Sequence, residues 1–248
     1  DPLSDDEPNG RDDDEDGRID EGSGHGTHIA GIIGMVAPSA QIMPVRVLNS
    51  DGGGTLFDIV QGLVYAVEHG ADIVNMSFSA VDNSPLLEAA VRFAFNHDVV
   101  LVAAAAGEDG YLEFPAAYDG VIAVGATKND DNVTGFSQSY ANEVDVFAPG
   151  EWIFSAYLNG GYAWWSGTSM AAPFVAGEAA LLRERTDCSQ ACLVTIIINE
   201  ISAVKPKMKH RGRINLEKAI KKAKKAAFSS AGIEGLENQL FLPLIQLQ

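Results

Sequence analysis

Residues 98–106 read DVVLVAAAA and residues 121–126 read VIAVGA, two short and nearly unbroken apolar runs. Runs of that kind suit strands buried on both faces, as in a parallel sheet covered by helices on either side. The surrounding pattern agrees. Residues 55–69 carry Leu56, Ile59, Val60, Leu63, Val64 and Val67 at helical spacing. Helices are further predicted over 25–36, 84–97, 169–185 and 215–227, and strands over 41–48, 72–78, 144–148 and 152–156. Strand and helix alternate through the first half, which predicts a three-layer α/β/α fold with a mainly parallel central sheet. In such sheets ligands bind beyond the carboxyl ends of the strands, so reactive residues belong just after strands or at helix starts.

The chain has 248 residues, 46% of them hydrophobic, enough for one large core. Its formal net charge is −17, which argues against nucleic acid as a partner. The charge is uneven. Residues 1–21 hold eleven Asp or Glu against two Arg, while residues 205–225 hold ten of the seventeen Lys and Arg. Two solvated surfaces explain this, and an electrostatic contact between the ends is the alternative. No window reaches the roughly 18 apolar residues of a membrane span. The opening Asp1-Pro2-Leu3-Ser4 has no signal-peptide character and reads like the middle of a longer protein. Cys188 and Cys192 are the only cysteines. On a helix they would share a face without favouring a disulfide, whereas a loop there would permit one.

Two segments carry chemistry. In SGTSMAAP (166–173), Gly167 permits a tight turn and Ser169 starts a helix, where free N–H groups favour developing negative charge. Pro173 is tolerated in an early helical turn. The plainer reading makes Ser169 or Thr168 a helix N-cap. In GHGTHIAG (24–31), glycines flank His25 at another helix start and let its ring face a cleft. Histidine suits proton transfer near neutral pH. His25 and His28 could instead be core residues or share a metal, although no third clustered ligand follows.

Together and in this order, GHGTHIAG and SGTSMAAPFVAG closely resemble the histidine and serine motifs of the subtilases. VAPSAQIMPVRVL, ADIVNMSFS, FPAAYDGVIAVGA, VDVFAPG and HRGRINLEKAI resemble further family segments, so the likeness spans roughly residues 22–222. It implies a serine endopeptidase with Ser169 as nucleophile and His25 as general base, acting through an acyl-enzyme on extended peptide or protein substrates. It places Gly52 and Gly54 on one substrate-pairing strand and Ser77, Phe78 and Ser79 on the opposite one. It puts Phe114-Pro115 beside the substrate pocket, with a cis bond. It also implies an extracellular, secreted protein. Oligomeric state is not legible.

Two positions depart from the family pattern. The triad Asp belongs on an apolar strand before the histidine motif, and no acid before His25 ends such a strand. The expectation is a chain that begins downstream of it; a natural pseudoenzyme is the alternative. Where the family carries an oxyanion-binding Asn after Ala105-Ala106-Gly107, this chain has Glu108. An ionised carboxylate has no proton to donate. A weakened homologue that binds peptides, or acts as a calcium-dependent interaction module, is the corresponding second reading.

The acidic stretch has its own pattern. Asp12, Asp14, Asp16, Gly17 and Asp20 match the first half of an EF-hand-type loop, although Ser23 stands at its twelfth position. The expectation is a structural Ca²⁺ bound by Asp12, Asp14, Asp16 and Asp20, against a merely solvated loop. Domain boundaries follow: an acidic segment over 1–24, a catalytic domain over 25–227 and an extension over 228–248.

Overall fold

The structure is a computed structural model that describes residues 22–107, 111–208 and 211–231. Its first helix is α1 (His25–Val36), followed by α2 (Leu56–Glu68). Then β1 (Ile73–Met76), α3 (Pro85–Asn96), β2 (Val100–Ala104) and β3 (Val121–Thr127) alternate as anticipated. β4 (Val146–Pro149) leads to a hairpin of β5 (Ile153–Ala156) and β6 (Tyr162–Trp165). After it come α4 (Thr168–Arg185), α5 (Gln190–Asn199), the short β7 (Ile201–Ser202) and β8 (Arg213–Ile214), and α6 (Leu216–Ala231).

The main sheet has the order β1-β2-β3-β4-β8-β7, and all pairings but β7–β8 are parallel. β2 shows why the apolar run is unbroken. Val100, Val102 and Ala104 pack beneath α4, with Ala171, Val175 and Leu182. Leu101 and Ala103 point the other way, into Ile59 and Leu63 of α2 and Leu87, Val91 and Ala94 of α3. Every residue of β2 and β3 is buried. A period of two that has core on both sides needs no polar face. The result is the expected three-layer α/β/α architecture, with α2 and α3 on one side of the sheet and α4 to α6 on the other.

Residues 41–48, expected as a strand, form none. Ile42, Met43 and Val45 stay exposed at 43%, 40% and 36%. A strand persists through its ladder and its packed face, and no strand among the described residues forms a ladder with this segment. Cys188 and Cys192 form a disulfide with Cα atoms 5.4 Å apart. Cys188 precedes the N-cap Ser189 of α5 and Cys192 lies in its first turn, so the loop alternative applies and not the shared helical face.

Candidate active site

Ser169 is the second residue of α4. Its helix is capped by Gly167, and neither Ser169 nor Thr168 caps it through a side chain. The N-cap reading of these two hydroxyls is therefore incorrect: a residue already inside the first turn cannot fill that position. The Ser169 hydroxyl donates to the Ser77 carbonyl at 3.3 Å, just past the carboxyl end of β1. In return the Ser77 hydroxyl donates to the Ser169 carbonyl at 2.9 Å. These bonds lock the start of α4 to the sheet.

His25 is the first residue of α1. Gly24 adopts a left-handed φ of 84° there, and a Cβ on it would strike the Tyr157 ring at 2.3 Å. Both features favour glycine. The β5–β6 hairpin then fixes α1. His28 is fully buried, its Nε2 3.1 Å from the Ile153 carbonyl and 3.2 Å from that of Ala163. The Ser155 hydroxyl donates to the His28 carbonyl at 2.8 Å. Trp165 stacks on both imidazoles, 5.8 Å from His25 and 5.2 Å from His28. His28 thus serves as an internal pin, facing the hairpin rather than sharing a metal with His25. Among the described residues no cluster of three His, Cys, Asp or Glu could hold a cation.

His25 and Ser169 line one cavity of about 370 Å³ with Trp152, Trp164, Trp165 and Met170. No hydrogen bond joins the two in this structure. The serine hydroxyl rests on Ser77, and the histidine ring lies against Trp165. Burial holds the His25 pKa below its usual 6.5, and the nearby charge of His28 adds to the effect. A neutral imidazole, the form that accepts a proton, is thereby favoured.

None of the remaining expected positions lines this cavity. Ser77 is buried, Phe78 half-buried towards α2 and α3, and Ser79 exposed. Gly52 lies in a tight loop closed by Asn49 and Gly53, against Gly22 at the entry to α1. Gly54 packs under the Val47 carbonyl, where a Cβ would come within 2.4 Å. Phe114-Pro115 is cis, and Phe114 pairs with Ala80 directly after the Ser77–Ser79 segment. Glu108 and the four acidic residues Asp12, Asp14, Asp16 and Asp20 lie outside the described residues.

Sequence reasoning missed Trp165 and the pinning role of His28. The signal available was the YAWW run beside the serine motif, whose alternation faces Trp165 inward and Tyr162 and Trp164 outward. It also missed Glu113, which shares a second cavity with Val81, Tyr111 and Leu112.

Comparison with known proteins places this geometry. A model described as the subtilase family matches residues 2–214. Thermitase from Thermoactinomyces vulgaris is 42% identical over 180 residues, covering 68% of this chain and 64% of thermitase. A thermophilic serine proteinase from Bacillus sp. (strain AK1) is 41% identical over 211 residues, covering 79% of this chain and 52% of that protein. Subtilisin DY from Bacillus licheniformis is 41% identical over 176 residues, covering 65% and 64%. The chain thus spans between about half and two thirds of these relatives. The crystal structure of a lanthipeptide protease superposes with a TM-score of 0.69 at 25% identity, covering 80% of this chain and 75% of that one.

Proposed function

The chain belongs to the subtilase family, and from that premise we propose that it is a serine endopeptidase with Ser169 as nucleophile and His25 as general base. The observation that carries this reading is the shared cavity: two helix N-termini bring a serine and a histidine to one wall, beyond the carboxyl ends of the strands. The reaction follows from these parts. An extended peptide lies along Ser77–Ser79, with the Gly52–Gly54 segment on its other flank, and is held by backbone pairing. The Ser169 hydroxyl leaves the Ser77 carbonyl and turns to the His25 ring. His25 takes its proton as Oγ attacks the scissile carbonyl, then passes the proton to the leaving amine. Free N–H groups at the start of α4 face the developing oxyanion. The depressed pKa of His25 keeps the base neutral in slightly acid solution.

Two finer assignments come from sequence. Glu108 occupies the place of the family's oxyanion-binding Asn and weakens catalysis without abolishing it, because the backbone donors remain. Asp12, Asp14, Asp16 and Asp20 supply hard oxygen donors of the kind calcium takes, a structural rather than catalytic ion. Secretion is supported by the resemblance and by the Cys188–Cys192 disulfide, since such bonds persist in oxidising compartments. Among the described residues no helix is long and apolar enough to cross a membrane. The test of the activity is hydrolysis of an unfolded protein by the full-length protein beside a Ser169→Ala variant. Equal hydrolysis by both would remove Ser169 from the reaction.

A further inference from the structure

Past Ser79, the substrate-facing segment does not end at the sheet. Ala80 pairs antiparallel with Phe114 through two backbone hydrogen bonds, Ala80 N–H to the Phe114 carbonyl at 2.7 Å and Phe114 N–H to the Ala80 carbonyl at 3.0 Å. In an antiparallel register the next pair out is Val81 opposite Glu113, with both side chains on one face. Those two residues, with Tyr111 and Leu112, line the second cavity, of about 330 Å³. The Glu113 N–H donates to the Ala106 carbonyl at 2.8 Å, which ties its backbone to the segment following β2. The cavity wall is therefore joined to the segments that leave the carboxyl ends of β1 and β2, the first of which carries the Ser77 contact of Ser169.

Glu113 is half-buried in this wall, and no cation or hydrogen-bond donor pairs with its side chain among the described residues. Its charge acts on the buried Tyr140. Burial raises the pKa of Tyr140 and the Ser137 and Thr168 hydroxyls oppose that, while the Glu113 charge raises it further. A carboxylate lining a cavity without a countercharge leaves room for a cationic group to pair with it. The remaining lining suits a long amphipathic side chain. Val81 and Tyr111, both 78% exposed, and the half-buried Leu112 offer apolar surface to an aliphatic stem, with the carboxylate at one end for a charged head.

We propose that this cavity binds the side chain of an arginine or lysine in the peptide substrate, at the residue that supplies the scissile carbonyl, with Glu113 as its countercharge. The proposal rests on the endopeptidase reading and names its substrate class: polypeptides cut after basic residues. Arginine fits best, because its planar fork pairs both carboxylate oxygens where lysine offers a single point charge. The apolar stem contacts are shared by leucine or phenylalanine, so discrimination comes from Glu113 alone.

The test uses the full-length protein and a series of tetrapeptide anilides that differ only at the residue before the scissile bond: Arg, Lys, Leu, Phe and Glu. The wild type is expected to give kcat/KM for Arg and Lys about ten- to a hundredfold above Leu and Phe, the range of a charge-assisted hydrogen bond. Glu113→Gln should collapse that ratio towards one, chiefly through the basic substrates, and Glu113→Lys should move the preference to Glu. The basic preference should also shrink as ionic strength rises. If Leu or Phe is the best substrate and Glu113→Gln leaves the ratios unchanged, the proposal is overturned while the endopeptidase reading stands. A second measurement separates the two claims. The cleaved acids Ala-Ala-Pro-Arg and Ala-Ala-Pro-Leu are titrated against Ser169→Ala protein, with and without Glu113→Gln. Tighter binding of the Arg peptide, lost with Glu113→Gln, upholds the pocket even if no anilide is hydrolysed. Equal binding of both peptides overturns it.

Discussion

Glu178 lies on the inner side of α4, 1% exposed, and neither carboxylate oxygen has a hydrogen-bond partner among the described residues. Ala171, Val175 and Leu182 share its helical face at spacings of three, four and seven, and all three belong to the main core. The next residue back, Gly177, packs so closely on Val36 of α1 that a Cβ would meet the valine Cβ at 2.7 Å. Burial accordingly pushes the Glu178 pKa from 4.5 up to about 8. The folded protein keeps a proton there that the unfolded chain gives up near pH 4.5. Stability from this group is therefore highest below pH 4.5, falls as pH rises, and reaches its minimum above about 8. The full span corresponds to about 5 kcal/mol, of which about 3 kcal/mol is already lost at pH 7. That is a large share of the stability of an ordinary domain. The expected outcome is that Glu178→Gln and Glu178→Met gain stability over the parent progressively from pH 5 to pH 9. Urea unfolding at fixed ionic strength, in a Ser169→Ala background to prevent self-digestion, measures it. Met conserves volume and tests packing; Gln conserves shape and tests charge. A parent-to-variant difference that stays constant across this pH range would refute the reasoning, because an isolated buried carboxyl must give a pH-dependent one.

Other outcomes follow from the site. With His25 as the proposed neutral base, the acid limb of kcat/KM should lie below pH 6.5, because burial lowers its pKa. Trp165→Ala exposes that ring and should move the limb upward towards 6.5; an unmoved or lowered limb in the pH profile counts against burial as the cause. Glu108→Asn should raise kcat by about 10²-fold, the order lost when subtilisin, a relative of this chain, loses its oxyanion Asn; steady-state kinetics showing no gain would mean that Glu108 does not face the oxyanion. Calcium should raise the unfolding free energy by about 2.7 kcal/mol at a hundredfold excess over Kd, a gain that Asp14→Asn with Asp16→Asn reduces; an equal rise of the unfolding midpoint in both proteins places the stabilising ion elsewhere.

What could be read in the sequence follows from how local each signal is. The apolar runs of β2 and β3 declare burial on both faces without further context, and the two helix-start motifs carry their own turn chemistry. α5 was not anticipated, because QACLVTIIIN is rich in β-branched residues. Its helix is decided by the Ser189 cap, whose hydroxyl accepts the Cys192 N–H, and by burial of Leu193, Ile196 and Ile197. β7 and β8 hold two residues each, too few for any period to show. Residues 41–48 have strand composition, but a ladder needs a neighbour that composition cannot supply. Glu113 and Trp165 owe their positions to contacts between distant segments, Ala80 with Phe114 and His28 with Trp165, which no local pattern encodes.

The central claim is that Ser169 is a nucleophile activated by His25. The most direct measurement is reaction of the full-length protein with a fluorophosphonate, with the adduct located by mass spectrometry. Such reagents trap a serine whose proton a neighbouring base removes. The account predicts one adduct, on Ser169, formed in proportion to loss of peptide hydrolysis and absent from a His25→Ala variant. Hydrolysis that persists with Ser169 unmodified, or an adduct formed as fast without His25, would contradict it.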